Sequence, residues 1–246
     1  MQSNVTEIAR DTYHISTFHP DYGIQLNQFL IKDGEPFLMH TGLRGMFPIT
    51  LEGVRSIIDP ANLRWIGFSH FESDECGALN EWLGVAPRAQ ALYSFVGGMV
   101  NVNDFADRAP RPLADGEVVQ TGRHRLRFLS IPHVPHCWDA GLFFDEVEET
   151  LLCSDLFFHL GDPEPVIEGD IVGRARDAIQ GGLAGPIAKD MPYTPYTHST
   201  LQRLSALEPK TLAVMHGSSF RGNGRKAILN LARVINDLLS KPEGGS

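Results

Sequence analysis

Apolar residues fall in short runs along this chain, and most runs are closed by a turn signal. Tyr13 to Phe18 predicts a strand. Gln25 to Ile31 and Pro36 to His40 predict an antiparallel pair, joined by Lys32-Asp33-Gly34-Glu35 with Asp-Gly as the turn signal. Residues 49–58 follow a helical pattern through Ile49, Val54, Ile57 and Ile58, stopped before Pro60. Trp65 to Phe68 is apolar and predicts a buried strand. A helix to about Leu83 follows, with Ala78, Leu79, Trp82 and Leu83 on one face. Ala89 to Phe95 predicts a short strand, and Gly97-Gly98 a break.

The second half repeats the style. Val118-Val119, Leu126 to Ile131, Gly141 to Phe144, Thr150 to Ser154 and Thr211 to Met215 predict strands. Ile171 to Gly182 is helical in pattern but interrupted by glycines. Residues 183–197 carry three prolines and two tyrosines and predict an ordered loop. His198 to Leu207 predicts a helix capped by Thr197 or Ser199, and Asn223 to Leu239 an amphipathic helix. Strands come first, then mixed strands and helices, and the pattern recurs. That order predicts an α/β fold of the αβ/βα sandwich type, two mixed sheets packed face to face with helices outside.

The 246 residues suit one large domain, 1–240, followed by a flexible tail, 241–246. The chain is 42% apolar and 21% charged, ordinary for a globular protein. A formal charge of −9 argues against nucleic acid and anionic membrane surfaces as partners. No apolar run reaches membrane-spanning length, and residues 1–11 do not read as a signal peptide. Cys76, Cys137 and Cys153 form no CxxC pair, and their odd number argues against a disulfide framework. A reducing cytoplasm and small buried cysteines are the simplest reading.

The most informative chemistry follows the strand Trp65 to Phe68. His70, Glu72 and Asp74 stand at every second position, directly before the helical pattern. Metal ligands at a strand end that feeds a helix make a cup on the edge of an α/β sheet. One imidazole among several carboxylates favours iron or manganese over a pure zinc site, since carboxylate oxygens are hard ligands. Three further candidates stand where strands run out: His136 after Ile131, Asp155 after Ser154, and His216 after Met215. Ionisable residues at four separate strand ends suggest one shared rim.

The set His70-x-Glu72-x-Asp74, His136, Asp155 and His216 resembles the metallo-β-lactamase superfamily. More narrowly it resembles the di-iron domain of flavodiiron proteins and the oxygen-binding di-iron proteins. Hydrolases of the superfamily use His-x-His-x-Asp-His; the di-iron branch has Glu at the third position, as Glu72 does here. His136-Cys137-Trp138-Asp139 resembles the branch's His-Trp-Pro-Asp, and Ser154-Asp155-Leu156-Phe157 its Asn-Asp-Ala-Phe. The resemblance implies that His70, Glu72 and His136 bind one iron, that Asp74 and His216 bind the other, and that Asp155 bridges them.

Three departures stand out. Glu75 occupies the place of a family histidine; it either ligates instead or turns to solvent. The strand before His40 reads Leu38-Met39-His40-Thr41-Gly42 where the superfamily has Asp-Thr, so His40 is either an outer partner of a ligand or a residue that holds the turn. The flavodoxin-like domain of flavodiiron proteins is missing, so no flavin is expected on this chain. His133, His159 and His198 fall near the predicted rim, and Tyr193 and Tyr196 are candidate pocket residues.

The resemblance implies a non-haem di-iron protein that binds or reduces O2 or NO, with electrons from a separate electron-transfer protein, or one that senses O2. The alternative is a metallo-hydrolase, with zinc or manganese, acting on a thioester, lactone or phosphoester. A module with one metal or none is a third reading, kept open by the missing histidine. A homodimer is an open expectation. Fold alone does not choose among these.

Overall fold

The computed structural model describes residues 1–240; the expected tail at 241–246 lies outside them. The first sheet runs β1 (Asn4–Ala9), β2 (Thr12–His19), β3 (Ile24–Ile31), β4 (Phe37–Met39), β5 (Trp65–Gly67), β6 (Gln90–Ser94) and β7 (Arg111–Leu113), in chain order across the sheet. Its early strands pair antiparallel; β4 to β7 pair parallel. The second sheet holds β8 (Val118–Gln120), β9 (Arg125–Ser130), β10 (Gly141–Asp145), β11 (Thr150–Ser154), β12 (Val166–Ile167), β13 (Thr211–Val214) and β14 (Ser219–Arg221), in the order β12-β14-β13-β11-β10-β9-β8. The expected two-sheet sandwich is therefore the fold.

Three apolar layers hold it together. Phe29, Phe37, Leu92, Phe128, Phe143 and Leu152 meet between the sheets. Leu79, Trp82 and Leu83 cover the outer face of the first sheet, together with Leu51 and Val54 of the helix Phe47–Arg55. Ile228, Leu231 and Ile235 of the helix Gly224–Leu239 cover the second sheet. Each large side chain so buried contributes roughly 1.5–3 kcal/mol. Gly67 belongs to this packing. A Cβ there would stand 2.6 Å from Phe37 and 2.8 Å from Phe143, so the aromatic layer presses directly on the strand that leads to His70.

Strand direction explains why the candidate ligands share a rim. β9 and β11 both run antiparallel to β10, and β11 runs parallel to β13. The ends that lead to His136, Asp155 and His216 therefore lie on one edge. The sheets are tied near this edge. Asn27 donates its side-chain amide to the carbonyls of Val214 and Gly217, and Gly141 N–H donates to Ser69 O.

Several sequence expectations need correction. Gly97-Gly98 does not break the chain. It lies inside a helical run from Phe95 to Phe105, part of it wound as a π-helix. Gly97 is small because the Tyr93 ring would collide with any Cβ there. The helix Ile171–Gly182 is continuous despite its glycines, and Asp170 caps it by accepting from Gly173 N–H. The helix Thr197–Ser205 starts after Tyr196 and has no side-chain cap; Thr197 Oγ accepts from Thr194 N–H instead. Among the described residues no helix is long and apolar enough to cross a membrane.

Asp33, in the turn between β3 and β4, clasps the other sheet. Its carboxylate accepts from Thr121 Oγ, His124 N–H and Gly34 N–H. Burial pushes its pKa up, but these donors outweigh burial and hold it at about 2. Because the folded pKa is depressed, the stabilisation is complete above pH ~4, the unfolded value, and is lost as pH falls toward ~2. An Asp33→Asn variant should lose roughly 1–2 kcal/mol at pH 7, allowing for solvent screening, and its deficit should vanish near pH 2. Denaturant unfolding at both pH values checks this; an equal deficit at both would contradict it.

Candidate metal centre

The strand β5 ends at Gly67, and the chain turns through Ser69 and His70 into two short helices, Ser73–Cys76 and Leu79–Val85. This turn brings His70, Glu72, Asp74 and Glu75 to one side. β11 is bulged opposite β13 between Leu152 and Ser154, and Ser154 takes a left-handed φ of 52°. Such a bulge re-aims the residue beside it, here Asp155. Gly217 follows His216 with φ 111°, and a Cβ there would collide with the His159 ring.

The six expected ligand residues meet. His70 Nε2 lies 3.0 Å from His136 Nε2, and His136 Nε2 lies 3.1 Å from Asp155 Oδ2. His70 Nε2 is 3.5 Å from the same oxygen. The other oxygen, Asp155 Oδ1, is 3.2 Å from His216 Nε2, which is 3.4 Å from Asp74 Oδ2. Glu72 approaches His70 at 3.8 Å and His136 at 3.9 Å. The two oxygens of Asp155 thus face different histidine sets.

Each imidazole is fixed through its other nitrogen. His70 Nδ1 bonds Ser69 Oγ at 2.9 Å, His136 Nδ1 bonds Asp190 at 2.8 Å, and His216 Nδ1 bonds the Gln25 carbonyl at 2.9 Å. With Nδ1 engaged, all three Nε2 atoms point inward, the usual device for orienting metal-bound histidines. Glu75 is 1% exposed, so it does not turn to solvent. Its Oε2 lies 3.7 Å from His70 Nε2 and has no hydrogen bond, and Asp155 Oδ1 also lacks a well-aligned donor.

These orphaned buried oxygens test whether a cation fits. Unpaired polar atoms are costly to bury. Burial, Asp155 and Asp74 together push the Glu75 carboxyl well above the usual range. Burial opposes charge on His136 and His216, but Asp155 with Asp190, and Asp155 with Asp74, raise both to about 10. Asp74 is held at about 2, burial being outweighed by its bonds to His216 and Glu75. The cluster draws in positive charge from every side. Divalent cations would supply that charge and satisfy Glu75 and Asp155, so the residues fit a metal pair.

The remaining candidates divide. His40 is buried with φ 66° and bonds Ser69 Oγ at 3.1 Å; Ser69 Oγ also meets His70 and, at 2.6 Å, Ser154 Oγ. Burial lowers the His40 pKa to about 3, keeping it neutral. His159 does not reach the cluster. It bonds the Phe157 carbonyl and accepts from Ser218 N–H, bracing the turn after His216. Four pocket candidates do not line the cavity. His133 is half-buried away from it; Tyr193 is turned to Asn236; Tyr196 is 73% exposed; and His198 is exposed on its helix. Their loop does contribute, through other residues: Ile187, Asp190 and Met191.

Asp190 gave no sequence signal, because it lies in an aperiodic loop far from His136. Its carboxylate is 40% exposed, so an Asp190→Asn change should leave the fold intact and weaken metal binding about 10–100-fold. Chelator competition measures this; unchanged affinity would remove Asp190 from the site. Cys137, next to His136 in the sequence, departs from the expected small buried cysteine. It is half-buried, and Sγ lies 3.2 Å from Glu72 Oε1, whereas Cys76 and Cys153 are buried as expected.

The cavity above the cluster measures about 320 Å³. Tyr22, Ile24, Phe158, Leu160, Ile187 and Met191 give it an apolar mouth. A separate cleft of about 400 Å³ between His159 and Arg174 holds none of the cluster.

Comparison with known proteins gives the family and agrees with the fold. A putative diflavin flavoprotein A 1 from Nostoc is 28% identical over 203 residues, 79% of this chain and 33% of that protein. The flavo-diiron protein FprA2 of Clostridium acetobutylicum is 24% identical, over 80% of this chain and 50% of its own length. The chain spans between about a quarter and a half of the curated relatives it matches first. Among solved structures, rubredoxin oxygen:oxidoreductase from Desulfovibrio gigas superposes with TM-score 0.77 at 19% identity, covering 94% of this chain and 61% of that one. The flavodiiron core of Flv1 from Synechocystis gives 0.78 at 19%, covering 96% and 61%. The family described as ODP family beta lactamase matches residues 24–217, and with most of its length so covered this chain belongs to that family.

Proposed function

We propose that this chain is a non-haem di-iron protein that binds or reduces O2, with electrons delivered by a separate protein. The observation that carries the reading is Asp155, whose two oxygens face His70 with His136 on one side and His216 on the other. In this reading His70, Glu72 and His136 hold one ion, Asp74 and His216 the other, and Asp155 spans both. Glu75 completes the second set, since Asp74, Glu75 and His216 each present a donor within 4.8 Å of the others. Four carboxylates then balance two divalent cations in a largely buried site.

Oxygen-rich ligation supports iron over zinc. When bound, two irons supply electrons to a diatomic molecule and a charge clamp around it. The protein's part is positional. Ser69, Asp190 and the Gln25 carbonyl hold the imidazoles, while the apolar mouth admits a small neutral molecule and limits water. Names of the relatives support the reading: one is called a rubredoxin-oxygen oxidoreductase, 24% identical over 87% of this chain.

The test is metal content by plasma mass spectrometry, on protein purified without oxygen or added metal, followed by O2 uptake after chemical reduction. About two irons per chain and rapid uptake are expected. Predominant zinc would move the reading to hydrolysis, and less than one ion of any kind would end both.

A further inference from the structure

Among the described residues, Cys137 is the one cysteine whose sulfur meets a donor side chain of the cluster. The family text it resembles carries tryptophan at this place and therefore no sulfur. The thiol Sγ–H donates to Glu72 Oε1 at 3.2 Å. Donor atoms of His70, Glu72, His136 and Cys137 all lie within 4.8 Å of one another. Bonds of 2.0–2.3 Å, set at the 90–120° angles of a five-donor site, place neighbouring donors roughly 2.8–4.0 Å apart. The separations here are 3.0 Å between the two imidazoles, 3.8 Å from His70 to Glu72 Oε2, and 3.9 Å from His136 and 3.2 Å from Cys137 to Glu72 Oε1.

The backbone holds the thiol in place. Cys137 has φ 59°, a region uncommon for a residue with a Cβ and associated with functional sites when observed. Its carbonyl accepts from His133 N–H at 2.8 Å, which closes the turn around it. Glu75 Oε2, buried, without a hydrogen bond and 3.7 Å from His70 Nε2, independently indicates a cation in the same cluster.

We propose that Cys137 Sγ is a fifth protein ligand to the ion held by His70, Glu72, His136 and the shared Asp155, an inference that rests on the metal-binding reading above. The thiol proton leaves to bulk water as sulfur donates its electron pair to the ion; no electron changes hands. The two halves of the centre then differ in kind. One is a nitrogen, oxygen and sulfur set, the other a hard set of Asp74, Glu75 and His216. The softer half gains affinity for soft ions, which distinguishes the two positions toward metals.

The probes are cobalt(II) and zinc(II) loaded into the full chain. Ion content is measured first. With cobalt, a sulfur-to-cobalt charge-transfer band in the near ultraviolet is expected, and a Cys137→Ser variant should bind the ions and lose the band. With zinc, X-ray absorption of the unmutated protein should show a sulfur scatterer at about 2.3 Å. That second measurement decides the matter if the variant does not fold. Cys76 and Cys153 do not compete as sulfur sources, since both are buried with Sγ on backbone carbonyls. Bound ions with only nitrogen and oxygen neighbours, or a band that survives Cys137→Ser, would overturn the inference and leave the metal reading standing. Failure to bind either ion would overturn both.

Discussion

An Asp155→Ala variant is expected to retain less than one ion per chain and to lose the thermal stabilisation that metal gives. Asp155 faces the histidines of both halves, so its removal takes one donor from each ion and the link between them. A ligand present at about 1,000 times its Kd stabilises the folded state by about 4 kcal/mol. For a domain of this size that is a rise in Tm of about 10 °C. The unmutated protein should show such a rise between chelator and excess iron(II), and the variant nearly none. The readout is the metal-induced shift rather than the Tm itself, because losing a buried carboxylate also leaves His136 and His216 without their shared partner. Full retention of two ions would remove Asp155 from the bridging role.

Glu72→His is expected to shift metal preference toward zinc. The substitution replaces a hard oxygen with imidazole nitrogen and converts the stretch from His-x-Glu to His-x-His, the pattern that hydrolases of this fold use with zinc. Glu72 is 45% exposed at its side chain, so the change should not disturb the core. After exposure to equal iron(II) and zinc(II), the variant should hold a clearly larger share of zinc than the unmutated protein, as measured by plasma mass spectrometry. O2 uptake by the reduced variant should fall at least about tenfold, a loss of about 1.4 kcal/mol or more in transition-state stabilisation. Undiminished uptake would mean that Glu72 does not choose the metal.

Much of this architecture is legible in the chain because its strongest signals are local. β3 and β4 announce themselves through two apolar runs with Asp33-Gly34 between them, and the turn forms there. The ligand residues follow strand ends directly, and parallel or alternating strand directions bring those ends together. Other elements carry weak signals. β1 is mostly exposed and polar, and β7 is a three-residue edge strand containing Pro112, so neither shows the alternation of a half-buried strand. Gly97-Gly98 misleads for a tertiary reason: the glycine makes room for Tyr93 within a helical run, not for a turn. Asp190 owes its place in the cluster to a contact across the fold, which no spacing encodes, whereas Cys137 stands next to His136 and only its contact with Glu72 is hidden from the sequence. The tyrosines at 193 and 196 stood out by type, yet the loop turns its aliphatic residues and Asp190 toward the cavity instead.

The donor residues are shared between the sheets. His70, Glu72, Asp74 and Glu75 follow β5, whereas His136, Asp155 and His216 follow β9, β11 and β13. During synthesis the ribosome delivers the first group long before the last. A nascent chain halted ahead of β13 lacks His216, and with it the Asn27 clasp that seats that turn against the first sheet. In the di-iron reading, the second ion then finds its full donor set only once β13 has joined the sandwich.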